Sequence, residues 1–209
     1  TVPPVAEPPK WFYLSSLGEN SLDYNIAWLD QLKNWPQTKL AFQPGTYQIS
    51  FSQHHEWWTS HKETFADIYR RADIFFCNKE EAERILGIEP TQDIKGLLAQ
   101  MKALGPKTVV ITDDVRGAYA LDEAGGTWQV PRWPDPRAAY EITGAGDAFA
   151  STTLAALGLG KTLQEALSWG ACNASAVLQE IGAQKGLLTR AQLEKNLQNP
   201  PAPFAVRPF

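Results

Sequence analysis

Apolar and polar positions along this chain change period from segment to segment, and the changes mark out elements. Residues 11–16, WFYLSS, form a short apolar run and predict a buried strand. In SLDYNIAWLDQLKNW, residues 21–35, Leu22, Ile26, Leu29 and Leu32 recur at the spacing of one helix face. KLAF at 39–42 predicts a second strand closed by Gln43-Pro44-Gly45, ETFADIYRRA at 63–72 a helix, and DIFFCN at 73–78 a third strand. Asn78 and Glu81 stand at capping-box spacing and open a helix that ends at Gly87. A helix over 92–104 stops at Gly105-Pro106, and TVVIT at 108–112 predicts a fourth strand. GAYALD (117–122) and TWQV (127–130) flank a Gly-Gly turn and predict a hairpin. The last third is helical, with one helix after Gly146, a second capped by Thr162 and Glu165, and a third by Thr189 and Gln192.

Strands alternating with helices, and apolar without period-2 alternation, imply a sheet covered on both faces. The expected fold is α/β, with a mainly parallel sheet flanked by helices and an antiparallel addition. Residues 1–10 read as a proline-rich linker or arm, 11–199 as the α/β domain, and 200–209 as a proline-rich tail. In such folds ligands sit at the carboxyl ends of the strands. Asn78, Thr112 and the loop before the helix at Gly146 all fall at such ends or at helix starts, so they could share one rim.

Composition narrows the function classes. The 209 residues are 44% hydrophobic and 20% charged, ordinary for a globular domain, and the net charge of −4 argues against a nucleic-acid partner. No apolar run is long enough to span a membrane, and the start, TVPPVAEPPK, has no signal-peptide core. Cys77 and Cys172 fit no metal spacing and read as free thiols, which with the absent signal gives a cytoplasmic expectation. Residue 1 is Thr and the only Met is Met101, so the chain is expected to be a piece of a longer one.

The stretch EITGAGDAFASTTLAAL, 141–157, carries the clearest chemistry. A helix N-terminus offers unpaired N–H groups and a partial positive charge, and glycines let an anion approach them. Gly144, Ala145 and Gly146 would form an anion cradle with Asp147 at its edge as a base; the alternative is a tight turn with a helix cap. The small residues Ala148, Ala150, Ser151, Ala155 and Ala156 suit close helix packing under either reading. GLGKT at 158–162 resembles the end of a P-loop, but Ala155 stands where that loop needs Gly and a helix precedes it, so it reads as one helix end and the next helix's cap. Asn78 and Glu81 could hold Mg²⁺ or its water shell, or only cap their helix. His54, His55 and His61 beside Trp57 and Trp58 show no zinc spacing and read as a loop, with the two Trp either in a core or facing a partner. Lys79, Arg84, Arg70 and Arg71 read as solvated helix faces. No G-x-S-x-G elbow is present.

Together these motifs resemble the PfkB/ribokinase family of carbohydrate kinases. EITGAGDAFAS resembles the family's D-T-x-G-A-G-D signature and NKEE (78–81) its N-x-x-E motif; VVITDDVRGAYAL (109–121) and ACNASAVLQEIGA (171–183) resemble its nucleotide-side segments. The resemblance implies a Rossmann-like, ribokinase-type fold that transfers the γ-phosphoryl of ATP to a sugar or nucleoside hydroxyl. By it, Asp147 is the base and Gly144, Ala145 and Gly146 the anion hole. Asn78 and Glu81 serve Mg²⁺; Thr112, Asp114, Gly117, Gly182 and Ala183 lie near the nucleotide; Asn173 lies near the adenine; Glu141 and Thr143 lie at a monovalent-cation (K⁺) site.

Three departures stand out. Glu141 replaces the usual Asp, Asp114 stands where Gly is common, and Gln43-Pro44-Gly45 stands where Asp-Pro-Asn or Asn-Pro is common. The resemblance also implies that the N-terminal part with the lid strands is missing. The partners it implies are a small-molecule acceptor and either a homo-oligomer or that missing segment. A non-catalytic binding or regulatory module, half of a split kinase, and a different nucleotide-using α/β enzyme with the same cradle are the competing readings.

Overall fold

The computed structural model describes residues 2–15, 22–45 and 62–209. The histidine and tryptophan cluster at 54–61 lies outside the described residues. The chain divides into two compact units, residues 1–111 with 121–125, and residues 112–120 with 126–209.

The first unit is a sheet with strand order β1 (Trp11–Leu14), β2 (Lys39–Phe42), β3 (Ile74–Asn78), β4 (Thr108–Thr112), and β1, β2 and β3 pair in parallel. Helices α1 (Leu22–Lys33), α2 (Lys62–Arg71), α3 (Lys79–Leu86) and α4 (Ile94–Ala103) connect them. Leu40, Ala41 and Phe42 of β2, Ile74 to Cys77 of β3 and Val109 to Ile111 of β4 are buried without alternation, which is why these strands read as unbroken apolar runs. Phe42 meets Phe75 with ring centroids 5.6 Å apart, and Tyr69 of α2 meets Phe75 edge-on at 5.2 Å. Asp73 ties three segments at the entry to β3. Its carboxylate accepts the Leu40 N–H at 2.8 Å and pairs with Lys107 at 2.8 Å and Arg71 at 3.2 Å.

Two expectations change here. Helix α1 buries Asn25, Trp28 and Leu32, while Ile26 is exposed. Trp28 buries more apolar area than Ile26 would, and its ring packs at a tilt against Phe12 of β1 with centroids 4.4 Å apart, so the helix turns its Trp inward. Lys79 is not a solvated charge: its ammonium pairs with buried Glu83 at 2.5 Å, with the Lys79 side chain only 12% exposed. Glu83 also accepts the Thr91 N–H at 2.9 Å, so the pair fastens the segment after α3.

The second unit holds β5 (Ala118–Leu121), β6 (Thr127–Val130) and β7 (Arg207–Pro208) with helices α5 (Ala145–Gly158), α6 (Leu163–Val177) and α7 (Arg190–Gln198). β7 pairs antiparallel with β6, Phe204 packs on Trp133 at 4.6 Å and Phe209 on Tyr119 at 4.7 Å, so the proline-rich end is bound along the unit. Helices α5 and α6 cross closely. A Cβ on Gly170 would fall 2.3 Å from the Thr153 hydroxyl and 2.7 Å from the Phe149 carbonyl. The small residues on α5 serve this crossing in part: Ala148, Ala150, Thr152, Thr153 and Ala156 are buried, but Ser151 and Ala155 face out. The GLGKT stretch ends α5 and caps α6, with the Thr162–Glu165 capping box closed, as the sequence implies. No described helix is long and apolar enough to cross a membrane.

Candidate active site

Helix α5 begins at Gly144, which has φ 82° and ψ −1°, a left-handed conformation open to glycine. No side chain caps this helix, whereas α3, α6 and α7 each carry a closed capping box. The two glycines of GAGD have different jobs. A Cβ on Gly144 would fall 2.4 Å from the Ala183 Cβ and 2.8 Å from its Cα, so Gly144 is the point where the 178–183 loop presses on the helix start. A Cβ on Gly146 would meet nothing within 4 Å. The first turn of α5 therefore presents backbone to open space at Gly146, with Asp147 beside it on the exposed side. The Ala145 N–H reaches the Ile142 carbonyl only at 3.4 Å. N–H groups without a side-chain cap, the positive end of the helix dipole and an adjacent carboxylate can receive an anion and take a proton from a group next to it.

The loop before α5 is fastened to the segment after α6. The Arg137 guanidinium donates to the Gln179 side chain at 3.1 Å and its carbonyl at 2.6 Å, and the Gln179 amide donates back to the Arg137 carbonyl at 3.2 Å. The Tyr140 N–H donates to the Leu178 carbonyl at 2.7 Å. The Glu141 carboxylate accepts the Gly182 N–H at 2.8 Å. The Thr143 hydroxyl and then the Gly182 N–H hold the Glu141 carboxyl below the ordinary carboxylate range. Gly144, Ala145, Gly146, Asp147, Glu141, Thr143, Gly182 and Ala183 are thus gathered around one helix start.

At the exit of β4, Thr112 is half-buried and a short 3₁₀ turn follows over Asp114–Arg116. The buried Asp113 carboxylate takes the Arg116 guanidinium in two hydrogen bonds, 2.6 and 2.9 Å, and the Asp113 N–H donates to the Gly117 carbonyl at 2.7 Å. Gly117 has φ 88°, and a Cβ there would lie 2.1 Å from the Val130 carbonyl. Asp114 is the one non-glycine described at positive φ, 45°, and is exposed. Its backbone takes the form that glycine takes without cost. The Asp113–Arg116 pair escaped the sequence reading, although its i, i+3 spacing was visible.

Asn173 is 4% exposed. Its amide donates to the Thr152 hydroxyl at 2.7 Å and its carbonyl accepts the Leu188 N–H at 2.9 Å, so the side chain joins α5, α6 and the loop before α7. Asn78 and Glu81, in the first unit, bind each other. The Asn78 Oδ1 accepts the Glu81 N–H and the Glu81 Oε2 accepts the Asn78 N–H, both at 2.8 Å. Among the described residues no three acidic, His or Cys side chains come together as a metal cage. Asn78 and Glu81 carry oxygen donors, the type that Mg²⁺ takes, but one oxygen of each is already engaged in the cap of α3. Cys77 and Cys172 form no disulfide, as expected, and both are buried.

The profile of the pfkB family carbohydrate kinases matches residues 38–190. Pyridoxal kinase PdxY of Rubrobacter xylanophilus is 36% identical over 147 residues, 65% of this chain and 50% of that protein. Fructokinase from Vibrio cholerae O395, solved with fructose, ADP and calcium, superposes with a TM-score of 0.74 at 20% identity, over 92% of this chain and 62% of that one. Ribokinase II from E. coli, solved with ATP and Mg²⁺, gives 0.73 at 17% identity, over 90% and 58%. The structural likenesses show the ribokinase-type α/β fold, and the chain spans about half the length of the curated relative it matches. The profile match over most of the chain establishes that this protein belongs to the pfkB family of carbohydrate kinases.

Proposed function

We propose that this chain is the nucleotide-binding and catalytic portion of an ATP-dependent kinase that phosphorylates a hydroxyl of a small molecule. The carrying observation is the start of α5: an uncapped helix, an open backbone face at Gly146 and an exposed Asp147 in the first turn. In this reading the N–H groups of Gly144, Ala145 and Gly146 receive the charge that develops on the transferring phosphoryl group. Asp147 accepts the proton of the attacking hydroxyl and orients it. Phosphoryl transfer asks for positioning and charge neutralisation more than for covalent chemistry, and this site supplies both from backbone and one carboxylate. Mg²⁺, when bound with the nucleotide, neutralises phosphate charge. The family resemblance assigns Asn78 and Glu81 to its water shell; within the first unit their side-chain atoms cap α3. Thr112 and Gly117 would border the nucleotide. Asn173 would act on an adenine subsite indirectly, by fixing Leu188.

The acceptor class stays broad. Relatives are named for pyridoxal, fructose and nucleosides, all of which offer an alcohol. The test is turnover of Mg-ATP with ribose, fructose, adenosine and pyridoxal in turn, wild type beside Asp147→Asn. Phosphorylation of one acceptor that disappears in the variant, with folding intact, supports the reading. Turnover equal in both proteins removes Asp147 from the chemistry.

Exposed Asp114, which places a carboxylate on the turn after β4, favours a second reading in which the chain is a binding or regulatory module. Such a module would be indifferent to Asp147→Asn in every assay.

A further inference from the structure

We infer that Glu141 is a positioning residue for the anion cradle, and that its carboxylate joins the two loops around α5 without help from a bound monovalent cation. The inference rests on the reading of α5 as a phosphate cradle. The side chain reaches across 41 positions of sequence to accept the Gly182 N–H at 2.8 Å. Gly182 stands at φ 85°, and the next residue, Ala183, bears directly on Gly144. Gly144 in turn sets the left-handed entry into α5. The contacts form one path from the Glu141 carboxylate through Gly182 and Ala183 to the helix start.

Resemblance places a K⁺ site at Glu141 and Thr143, and the donors found there do not suit one. An ionised carboxylate only accepts, so the Thr143 hydroxyl that bonds it must donate, and the Gly182 N–H donates as well. The Gly182 N–H points its positive end at Oε2 and the Thr143 hydroxyl donates to the same carboxylate, so donors take up acceptor positions that a cation would otherwise share. The glutamate side chain, one methylene longer than aspartate, carries its carboxylate to the Gly182 N–H. An aspartate would fall short and leave that work to an ion.

The experiment compares wild type, Glu141→Ala, Glu141→Asp and Glu141→Gln in KCl, NaCl and tetramethylammonium chloride at equal ionic strength. It follows thermal unfolding, amide exchange at Gly182 and Mg-ATP affinity. Wild type is expected to unfold at one temperature, and to bind Mg-ATP equally, in all three salts. Glu141→Ala should speed exchange at Gly182 by about tenfold, the loss of one charge-assisted hydrogen bond, and weaken Mg-ATP similarly. Glu141→Gln, which keeps an acceptor oxygen, should restore much of both. Glu141→Asp should behave as the alanine variant in tetramethylammonium and recover in KCl. A rise of wild-type stability or Mg-ATP affinity specific to K⁺ overturns the inference, and so does unchanged Gly182 exchange in Glu141→Ala. Absence of Mg-ATP binding in every salt overturns the nucleotide reading and the positioning role with it. The exchange and unfolding data then still decide whether the carboxylate holds the loops.

Discussion

Alanine at each glycine of GAGD should separate folding from binding in opposite senses. Gly144→Ala meets two penalties. The left-handed conformation costs an L-residue about 1–2 kcal/mol, and the new Cβ must be accommodated 2.4 Å from the Ala183 Cβ, an overpacking cost of about 1–3 kcal/mol. The sum, about 2–5 kcal/mol, corresponds to a fall of roughly 4–20 °C in unfolding temperature for a chain of this size. Gly146→Ala meets neither penalty. Its Cβ enters open space, and alanine in a helix is favoured over glycine by up to about 1 kcal/mol. It should therefore leave stability unchanged or raise it slightly, yet place a methyl group where an anion must approach the backbone. The assay is thermal unfolding by circular dichroism beside calorimetric titration with Mg-ATP. The expected pattern is a destabilised Gly144→Ala and a stable Gly146→Ala with weakened nucleotide binding. A Gly144→Ala protein as stable as wild type would refute the contact with Ala183. A Gly146→Ala protein that binds as wild type would refute the open backbone as the anion's approach.

Other outcomes follow from the same geometry. Asp114→Gly removes a residue held at φ 45° and should stabilise the fold by about 0.5–1 kcal/mol, read by denaturant unfolding; under the kinase reading it should also tighten Mg-ATP by removing a carboxylate. The Glu141 carboxyl is held below its unfolded-state value, so its contribution is present above the ordinary carboxylate range and is lost as pH falls through the lowered folded value. The gap in unfolding temperature between wild type and Glu141→Ala should accordingly be widest near neutral pH and close in acid. Burial, and then the nearby Glu81 charge, push the Cys77 thiol well above its usual range, and burial raises Cys172. Neither should react with a thiol reagent until the chain unfolds; prompt labelling of the native protein would contradict their burial.

Local signals in the sequence carried most of the elements. The capping boxes Asn78–Glu81, Thr162–Glu165 and Thr189–Gln192 close as their spacing implies, because each depends on atoms three residues apart. The apolar strands β2, β3 and β4 also read correctly, since burial on both faces leaves no alternation, whereas β1, expected to be buried, fully buries only Leu14. What could not be read was settled between distant segments. The inward face of α1 is decided by Trp28 meeting Phe12, and helical spacing alone offered Ile26 as readily. Lys79 has its partner only four residues on, in Glu83, but the burial of that pair depends on the segment at Thr91, whose N–H bonds Glu83. Gly170 carries no local mark of its contact with Phe149 and Thr153. The start of the cradle was legible as GAGD, but its fastening by Glu141 to Gly182 joins residues that no window of the sequence brings together.

The central claim is that the start of α5 holds the phosphates of a nucleotide. The most direct measurement is calorimetric titration of this chain with Mg-ATP, alongside Gly146→Val and Asp147→Asn, each shown to be folded. The expected result is binding by wild type and Asp147→Asn and its loss in Gly146→Val, since the valine closes the backbone face while the asparagine changes only the base. Binding that survives Gly146→Val would contradict the cradle, and the phosphates would have to lie elsewhere in the fold.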